Sequence, residues 1–283
     1  MTTKNKDEYI SALDEIGITH EIAQSQSQSD IDYTEIDCET YGFEVRDSSI
    51  DGLGFFATRE FSSNDKIAPA RVWFERTQAG RYVNHSDSPN AEMVIDGTSI
   101  VLVAKCDIKI GDEVTINYRN AVDVNRLSWS KMAYDDKVDG IERLLMKFPI
   151  VEIPTVHKFI DGMYIREAFA KAGTILTSKI HKTEHPFVMT QGDQSILDTD
   201  GNWKRIKAPC WGITPKGSRR VVLIHSDTIM MSFHATDKTD LDSVEESIYE
   251  MRMNHLFLNK DDTDSILYLQ RGNGSVILQG GVK

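Results

Sequence analysis

Residues Arg81 to Asn90, RYVNHSDSPN, set an amide, an imidazole, a carboxylate and two hydroxyls side by side. A core strand has no use for so many donors and acceptors. A turn uses Ser, Asp, Pro and Asn through side-chain-to-backbone bonds, but it does not need Asn84-His85 beside them. Two more segments hold residue types that chemistry uses. Gly52 to Ala57, GLGFFA, is a two-glycine loop, and glycine suits a place where backbone comes close to a ligand. Ala104 to Tyr118, AKCDIKIGDEVTINY, ends on a ring with an apolar body and a polar tip. Taken singly, each has a plain alternative: Asn84 and His85 satisfy nearby backbone, Gly111-Asp112-Glu113 is an ordinary turn, and Tyr118 is a packed ring. Farther on, His181 and His185 stand four apart, a spacing that shares one face of a strand.

These residues need elements to hold them. The chain has 283 residues, a length for which two domains is the prior expectation. Residues 7–18 space Tyr9, Ile10, Leu13, Ile16 and Ile18 as a helix would, with Gly17 as its stop. QSQSQSD then reads as a low-complexity polar linker and a domain boundary. From Tyr41 to Asn120, β-branched runs such as GTSIVLVAK alternate with Gly, Asn-Asp and Pro-Asn punctuation, the pattern of short strands and turns. GIERLLMKFP predicts a short helix ended by Pro149. From Val151 to about Thr236 the strand candidates are GTILTSKIH, PFVMTQ, QSILDTDGNWKRI, RRVVLIH and TIMMSFH. Turn signals at near-regular spacing fit an all-β sandwich or barrel. Thr239 or Asp240 is placed to cap a helix over TDLDSVEESIYEMR, and Gly272-Asn273-Gly274 to turn a terminal hairpin.

The formal charge is -12 and sits at the ends: residues 1–40 hold ten acids against two lysines, and residues 235–265 nine acids against three bases. Acidic ends make phosphate-backbone binding a poor main activity, so nucleic acid is not expected as the main ligand; they are solvated or attract basic partners. Three well-separated cysteines, Cys38, Cys106 and Cys210, give no metal-type pair and no disulfide framework. With no apolar run near membrane-spanning length and no apolar leader in MTTKNKDEYI, the expected compartment is the cytoplasm.

In order and spacing, the three segments Gly52–Ala57, Arg81–Asn90 and Ala104–Tyr118 together resemble the SET-domain methyltransferases of the compact viral and bacterial type. The resemblance covers less than a third of the chain. It implies that Gly52, Leu53, Gly54 and Phe55 lie along S-adenosylmethionine, with Arg81 and Tyr82 in the same cofactor-binding segment. It implies that Asn84 meets the methionine amino group and that His85 holds adenine through its backbone. The residues after them would thread beneath a neighbouring loop as a pseudoknot, and Tyr118 would stand at the methyl-transfer site. Methyl transfer is an in-line displacement from a sulfonium carbon, and alignment alone supplies about 7–11 kcal/mol. A lysine acceptor must be neutral, which costs about 4 kcal/mol near pH 7.4; a cationic cofactor and a dry channel lower that cost. Tyr118 would orient the amine without acting as a strong base. Asp87 stands where the family usually has Cys, no cysteine-rich segment follows Tyr118, and only ARVWFERTQAG fills the place of the usual groove insert. Trp73, Phe74, Trp129 and Tyr134 are candidates for a lysine channel, with a core role as the alternative for each.

Ala172 to Gly201 resembles a cupin, the double-stranded β-helix family, and Ala208 to Glu246 fits the cupin-like proteins of tailed phages. That resemblance implies a divalent metal on His181, His185 and His234, with His225 the lesser choice for the third position. Imidazole suits Fe, Mn, Ni or Zn. Thr183 and Arg220 stand where further family histidines would be, so a barrel retained without a working site is the alternative. Arg219-Arg220 would suit an acidic partner.

The expected architecture is therefore mainly β: a SET-type β-clip with pseudoknot, then a cupin-like jelly roll, with short terminal helices. The expected divisions are an acidic helix and linker (1–40), the SET domain (41–123), a helical linker (124–150), the cupin-like domain (151–240), and a C-terminal helix and hairpin (241–283). The expected activity is phage-encoded, S-adenosylmethionine-dependent N-methylation of an accessible lysine on a protein substrate. The alternative is a non-catalytic interaction protein, such as a virion component, and a homo-oligomer is expected only by analogy.

Overall fold

The computed structural model describes residues 3–15, 17–149, 151–250 and 275–279. They form two compact units, residues 1–140 and 141–283, and the architecture is mainly β. Among the described residues no helix is long and apolar enough to cross a membrane.

The first unit opens with α1 (Thr3–Glu15), α2 (His20–Gln28) and α3 (Cys38–Tyr41). α1 buries Ala12 and Leu13 and stops at Gly17, whose φ is +72° and whose N–H reaches the Asp14 carbonyl at 3.0 Å. α2 corrects the linker expectation, because Gln24 to Gln28 is helical. Thr19 caps it, accepting from the Ile22 N–H at 3.3 Å. Gln and Ser carry small helix penalties, so a capped start and a packed face suffice.

Next come β1 (Phe43–Asp47), β2 (Leu53–Ala57), β3 (Lys66–Val72), β4 (Glu75–Arg76), α4 (Gln78–Tyr82), β5 (Asn84–His85), β6 (Ala91–Asp96), β7 (Ser99–Ala104), β8 (Thr115–Ile116), α5 (Tyr118–Lys131) and α6 (Tyr134–Leu145). β1 and β2 form a hairpin, and β4-β3-β7-β6 an antiparallel sheet. β5 and β8 pair in parallel, Asn84 with Thr115 and His85 with Ile116. Phe43, Phe55, Phe61, Ile67, Ile100, Leu102, Ile108 and Ile116 form one core. Each such side chain contributes about 1.5–3 kcal/mol on burial. α4 sits hard against β3: a Cβ on Gly80 would come within 1.9 Å of the Ala70 carbonyl oxygen.

The strand-and-turn pattern expected up to Asn120 stops sooner, since Tyr118 opens α5. Asn117 caps that helix, accepting from Arg119 N–H at 2.9 Å and Asn120 N–H at 3.3 Å. The short helix expected before Pro149 begins earlier, at Tyr134.

The second unit contains β9 (Thr155–Ile160), β10 (Met163–Ala170), β11 (Thr174–Ser178), β12 (Ile180–His181), β13 (His185–Leu197), β14 (Trp203–Lys207), β15 (Cys210–Thr214), β16 (Val221–Ala235), α7 (Leu241–Ile248), β17 (Tyr249–Glu250) and β18 (Ser275–Gln279). Two expected strand pairs are each one long strand: PFVMTQ runs on through QSIL in β13, and RRVVLIH through TIMMSFH in β16. Both bend instead of breaking. Their pairing shifts register between Met189 and Gln194, where Gly192 (φ +110°) lies so near Thr228 that a Cβ would fall 2.1 Å from its Oγ1. A bulge of this kind lets one strand serve two halves of a sandwich: β13 pairs with β15 by its first half and β14 by its second. Asp240, not Thr239, caps α7. The turn expected at Gly272-Asn273-Gly274 lies outside the described residues, while β18 pairs with β11.

Candidate functional site

The polar segment and the loop it faces are built as one object. The Asn84 side chain is buried, and its Nδ2 donates to the carbonyls of Asp51 (3.1 Å) and Leu53 (3.2 Å) and to Glu113 Oε1 (2.8 Å). Ser48 Oγ donates to the same carboxylate at 2.8 Å. Gly54 is what lets Glu113 come so close, because a Cβ there would meet its Oε1 at 2.4 Å. Asn90 completes the clasp from the other end of the segment, donating to the Glu113 carbonyl and accepting from the Thr115 N–H, each at 2.8 Å. Each bond is worth about 1 kcal/mol net, but leaving a buried partner unsatisfied costs about 1–3 kcal/mol.

His85 is consumed between two neighbours. Its Nδ1 accepts from the Tyr118 backbone N–H at 3.2 Å, and its Nε2 lies 2.9 Å from Asp87 Oδ1. A neutral ring protonated on Nε2 satisfies both contacts. Asp87 therefore has a local task, orienting the imidazole that holds the start of α5. The Tyr118 hydroxyl donates to the Val83 carbonyl at 3.3 Å. Its ring lies 5.3 Å from His85 and 5.7 Å from Tyr9 on α1. Burial first, then the negative fields of Tyr9, Asp51 and Glu113, push its phenol up to about 12. It is a neutral O–H at physiological pH, able to donate and accept but not to act as a base.

A cavity of about 1060 Å³ opens in front of these groups. Gly52, Leu53, Arg81, Tyr82, Asn84 and Tyr118 all line it, so six of the residues singled out in the sequence meet in one place. Gly54, Phe55 and His85 are not among its lining. Phe55 is fully buried and packs on Phe43 at 4.3 Å, and His85 works through Tyr118. Of the proposed channel aromatics, Trp129 lines the cavity, with Phe74 against its ring at 5.3 Å. Trp73 is buried.

Sequence reasoning missed the far wall. Tyr9, Leu13 and Ile18, together with Ala23, Gln24 and Ser27 of α2, line the same cavity. Arg119 fastens α1, donating to the Glu8 carbonyl at 3.2 Å and meeting Glu15 at 3.5 Å. Arg81 reaches Asp30 and the Gln28 carbonyl, so it ties α2 down. The helical spacing of Tyr9 and Leu13 was the available signal: an apolar face must be covered by something.

The second unit brings the three proposed metal ligands together, but not on one strand. His181 ends β12 and His185 opens β13. Ring centroids are 4.5 Å apart for His181 and His185, 4.1 Å for His185 and His234, and 6.3 Å for His181 and His234. Among the described residues, no group of three or more His, Cys, Asp or Glu is arranged to hold a metal ion. His225 is elsewhere, exposed and 2.7 Å from Ser195 Oγ.

Comparison with known proteins finds no match among curated sequences. Among solved structures, the chain is similar to an ectoine synthase from P. lautus at 11% identity, covering 47% of this chain and 83% of that one with a TM-score of 0.32. It is similar to a cupin-2 domain protein from Shewanella frigidimarina at 11% identity, covering 38% and 96% with a TM-score of 0.26. A Plasmodium falciparum protein assigned as a histone methyltransferase shares 23% identity over 26% of this chain and 90% of that one, with a TM-score of 0.22. The family model of the SET domain matches residues 4–119, a stretch that runs from α1 to the residue after Tyr118.

Proposed function

We propose that residues 4–119 bind S-adenosylmethionine and transfer its methyl group to the amine of an accessible lysine on a protein substrate. The observation that carries this reading is the parallel pairing of Asn84-His85 with Thr115-Ile116. That pairing delivers the Gly52 loop, Asn84 and Tyr118 to one cavity.

The residues fit the cofactor. Gly52, with φ +46°, has open space where a Cβ would project, so the loop backbone is approachable. Asp51 borders the cavity, and its charge and that of Glu113 act on Tyr118. Negative potential suits a ligand with a sulfonium and an ammonium group. When bound, the cofactor supplies an activated methyl group on a cationic sulfur. Asn84 and Glu113 hold the loop that would lie along it. Tyr118 keeps its proton, and its oxygen is placed to orient an incoming amine. Tyr9, Leu13 and Trp129 give the cavity apolar walls that exclude water and favour a neutral amine over an ammonium. In the second unit we read a cupin-like barrel that serves as a binding module.

Calorimetric titration of the full chain with S-adenosylmethionine tests the reading. Micromolar binding, lost in Asn84→Ala, supports it. No binding by folded protein sinks it and leaves the SET motifs as architecture.

A further inference from the structure

The outward face of an antiparallel sandwich is expected to read polar, because only the inner face meets the core. The five strands β15, β13, β16, β10 and β9, paired in that order, depart from this. Their inner face carries Tyr164, Phe187 and His234, all buried. Alternation sends the other side chains outward, and most of these are apolar too: Ile165, Glu167 and Phe169 on β10 lie level with Phe233, Met231 and Ile229 on β16. The register draws one outward row across all five strands: Trp211, Val188, Met231, Glu167 and Val156. In the next row Ile213 pairs with Pro186, and Ile165 with Lys158. None of these outward side chains joins a hydrophobic core among the described residues. At the two margins exposure is high: Trp211 is 77% and Ile213 50% accessible on β15, and Ile160 is 57% and Val156 41% accessible on β9. Gly212 keeps the Trp211 margin close to the sheet, since a Cβ there would meet the Phe187 ring at 2.8 Å.

With strands about 4.8 Å apart and residues about 3.3 Å apart, five strands by five residues cover roughly 400 Å² in plan. Monomers seldom leave an apolar patch of this size uncovered unless it serves a contact. A stable pair of proteins buries about 800 Å² on each side, as an apolar core within a polar rim, and this face has the size of such a core. Charge selects the occupant. The chain carries -12 overall, yet these rows hold one acid, Glu167, and one base, Lys158. A strongly basic or acidic partner finds no opposite field there, and an anionic lipid surface finds no cluster of cations. An identical face meets it without net repulsion. Shape agrees, because two open sheets stack about 10 Å apart with their side chains interdigitated.

We propose that two copies of the chain meet through this face, sheet against sheet, to form a homodimer about a two-fold axis.

The test is sedimentation equilibrium of the full chain from sub-micromolar to high micromolar concentration, in low salt and in molar sodium chloride. The expected result is a monomer–dimer equilibrium whose dissociation constant does not rise with salt. It should rise at least tenfold in Trp211→Glu and in Val156→Glu, which alter exposed side chains at opposite margins. It should stay unchanged in Trp203→Glu, an exposed position on β14 outside the face. Thermal melts check that each variant folds, and the two margins keep the test decisive if one variant does not. A chain monomeric at every concentration overturns the proposal, whether acrylamide quenching then finds Trp211 covered by the same chain or flotation finds it bound to phosphatidylcholine vesicles. So does a dimer that both margin variants leave intact, or one that dissociates in salt.

Discussion

The Asn84 amide and the Glu113 carboxylate meet at 2.8 Å across 29 residues of sequence. Through that contact the polar segment, the glycine loop and the start of α5 become one rigid piece. Asn84→Ala removes the donor and leaves three acceptors behind it. The expected loss is about 1–3 kcal/mol of stability and at least tenfold in S-adenosylmethionine affinity, read by urea melts and calorimetry. Asn84→Asp sets a carboxylate against Glu113 and should cost more than the alanine variant.

The two loop glycines should respond differently. At Gly54 a Cβ would collide with Glu113 at 2.4 Å and the Phe56 ring at 2.8 Å. At Gly52 the strain is only that of φ +46° in open space, about 1–2 kcal/mol. Gly54→Ala should therefore cost more stability and more cofactor affinity than Gly52→Ala. Equal effects in melting and binding would sink this account of the loop.

Alkaline titration should single out Tyr118. Its phenol lies above the ordinary value of 10.0, at about 12. The folded state favours the protonated form, so the stability it contributes is complete below pH 10 and is lost as pH rises towards 12. Tyr118→Phe should remove that loss and one late step in phenolate absorbance. Methyl transfer should be abolished in the same variant without unfolding.

Tyr9 is expected to set part of that shift. Burial and the neighbouring Tyr9 are the first two causes raising Tyr118. Tyr9→Ala opens the cavity wall and removes both in part, so Tyr118 should ionise at lower pH in this variant. An unchanged phenolate titration would show that α1 does not shield the ring.

Acid should weaken the second unit. Burial first, then neighbouring imidazoles and Arg166, hold His181 and His234 near 3 against an ordinary 6.5, with Arg220 also acting on His181. A base with a depressed folded value contributes stability above pH 6.5 and loses it as pH falls towards 3. His234→Gln should flatten the stability curve over that window, measured by chemical denaturation at a series of pH values.

Much of the first unit was legible because its chemistry is local. Gly52, Asn84 and Tyr118 sit in segments whose residue types made sense only as a set, and the cavity gathers them. What the sequence concealed is which groups spend themselves on each other. Asn84 reads as a side-chain ligand contact, yet its amide holds Asp51, Leu53 and Glu113; His85, expected to meet the ligand through its backbone, spends its ring on Asp87 and Tyr118. The Gln-Ser run looked like a linker because neither residue is apolar, but a helix needs only a cap and a partner, and a tertiary partner has no local signature. In the second unit, β13 and β16 were each divided at a polar or glycine punctuation point that the fold uses as a bend.

The parallel pairing of β5 with β8 also dictates an order of assembly. Antiparallel neighbours such as β6 and β7 can zip from their own turn, whereas Asn84 must wait for Thr115 to arrive from the far side of a closed loop. Such non-local closure is slow because the chain gives up entropy before the contact rewards it. A ribosome-bound chain ending before Thr115 therefore holds every glycine of the loop and no cradle. The pocket comes into being in a single late event, so truncated or misthreaded copies should be inert rather than partly active.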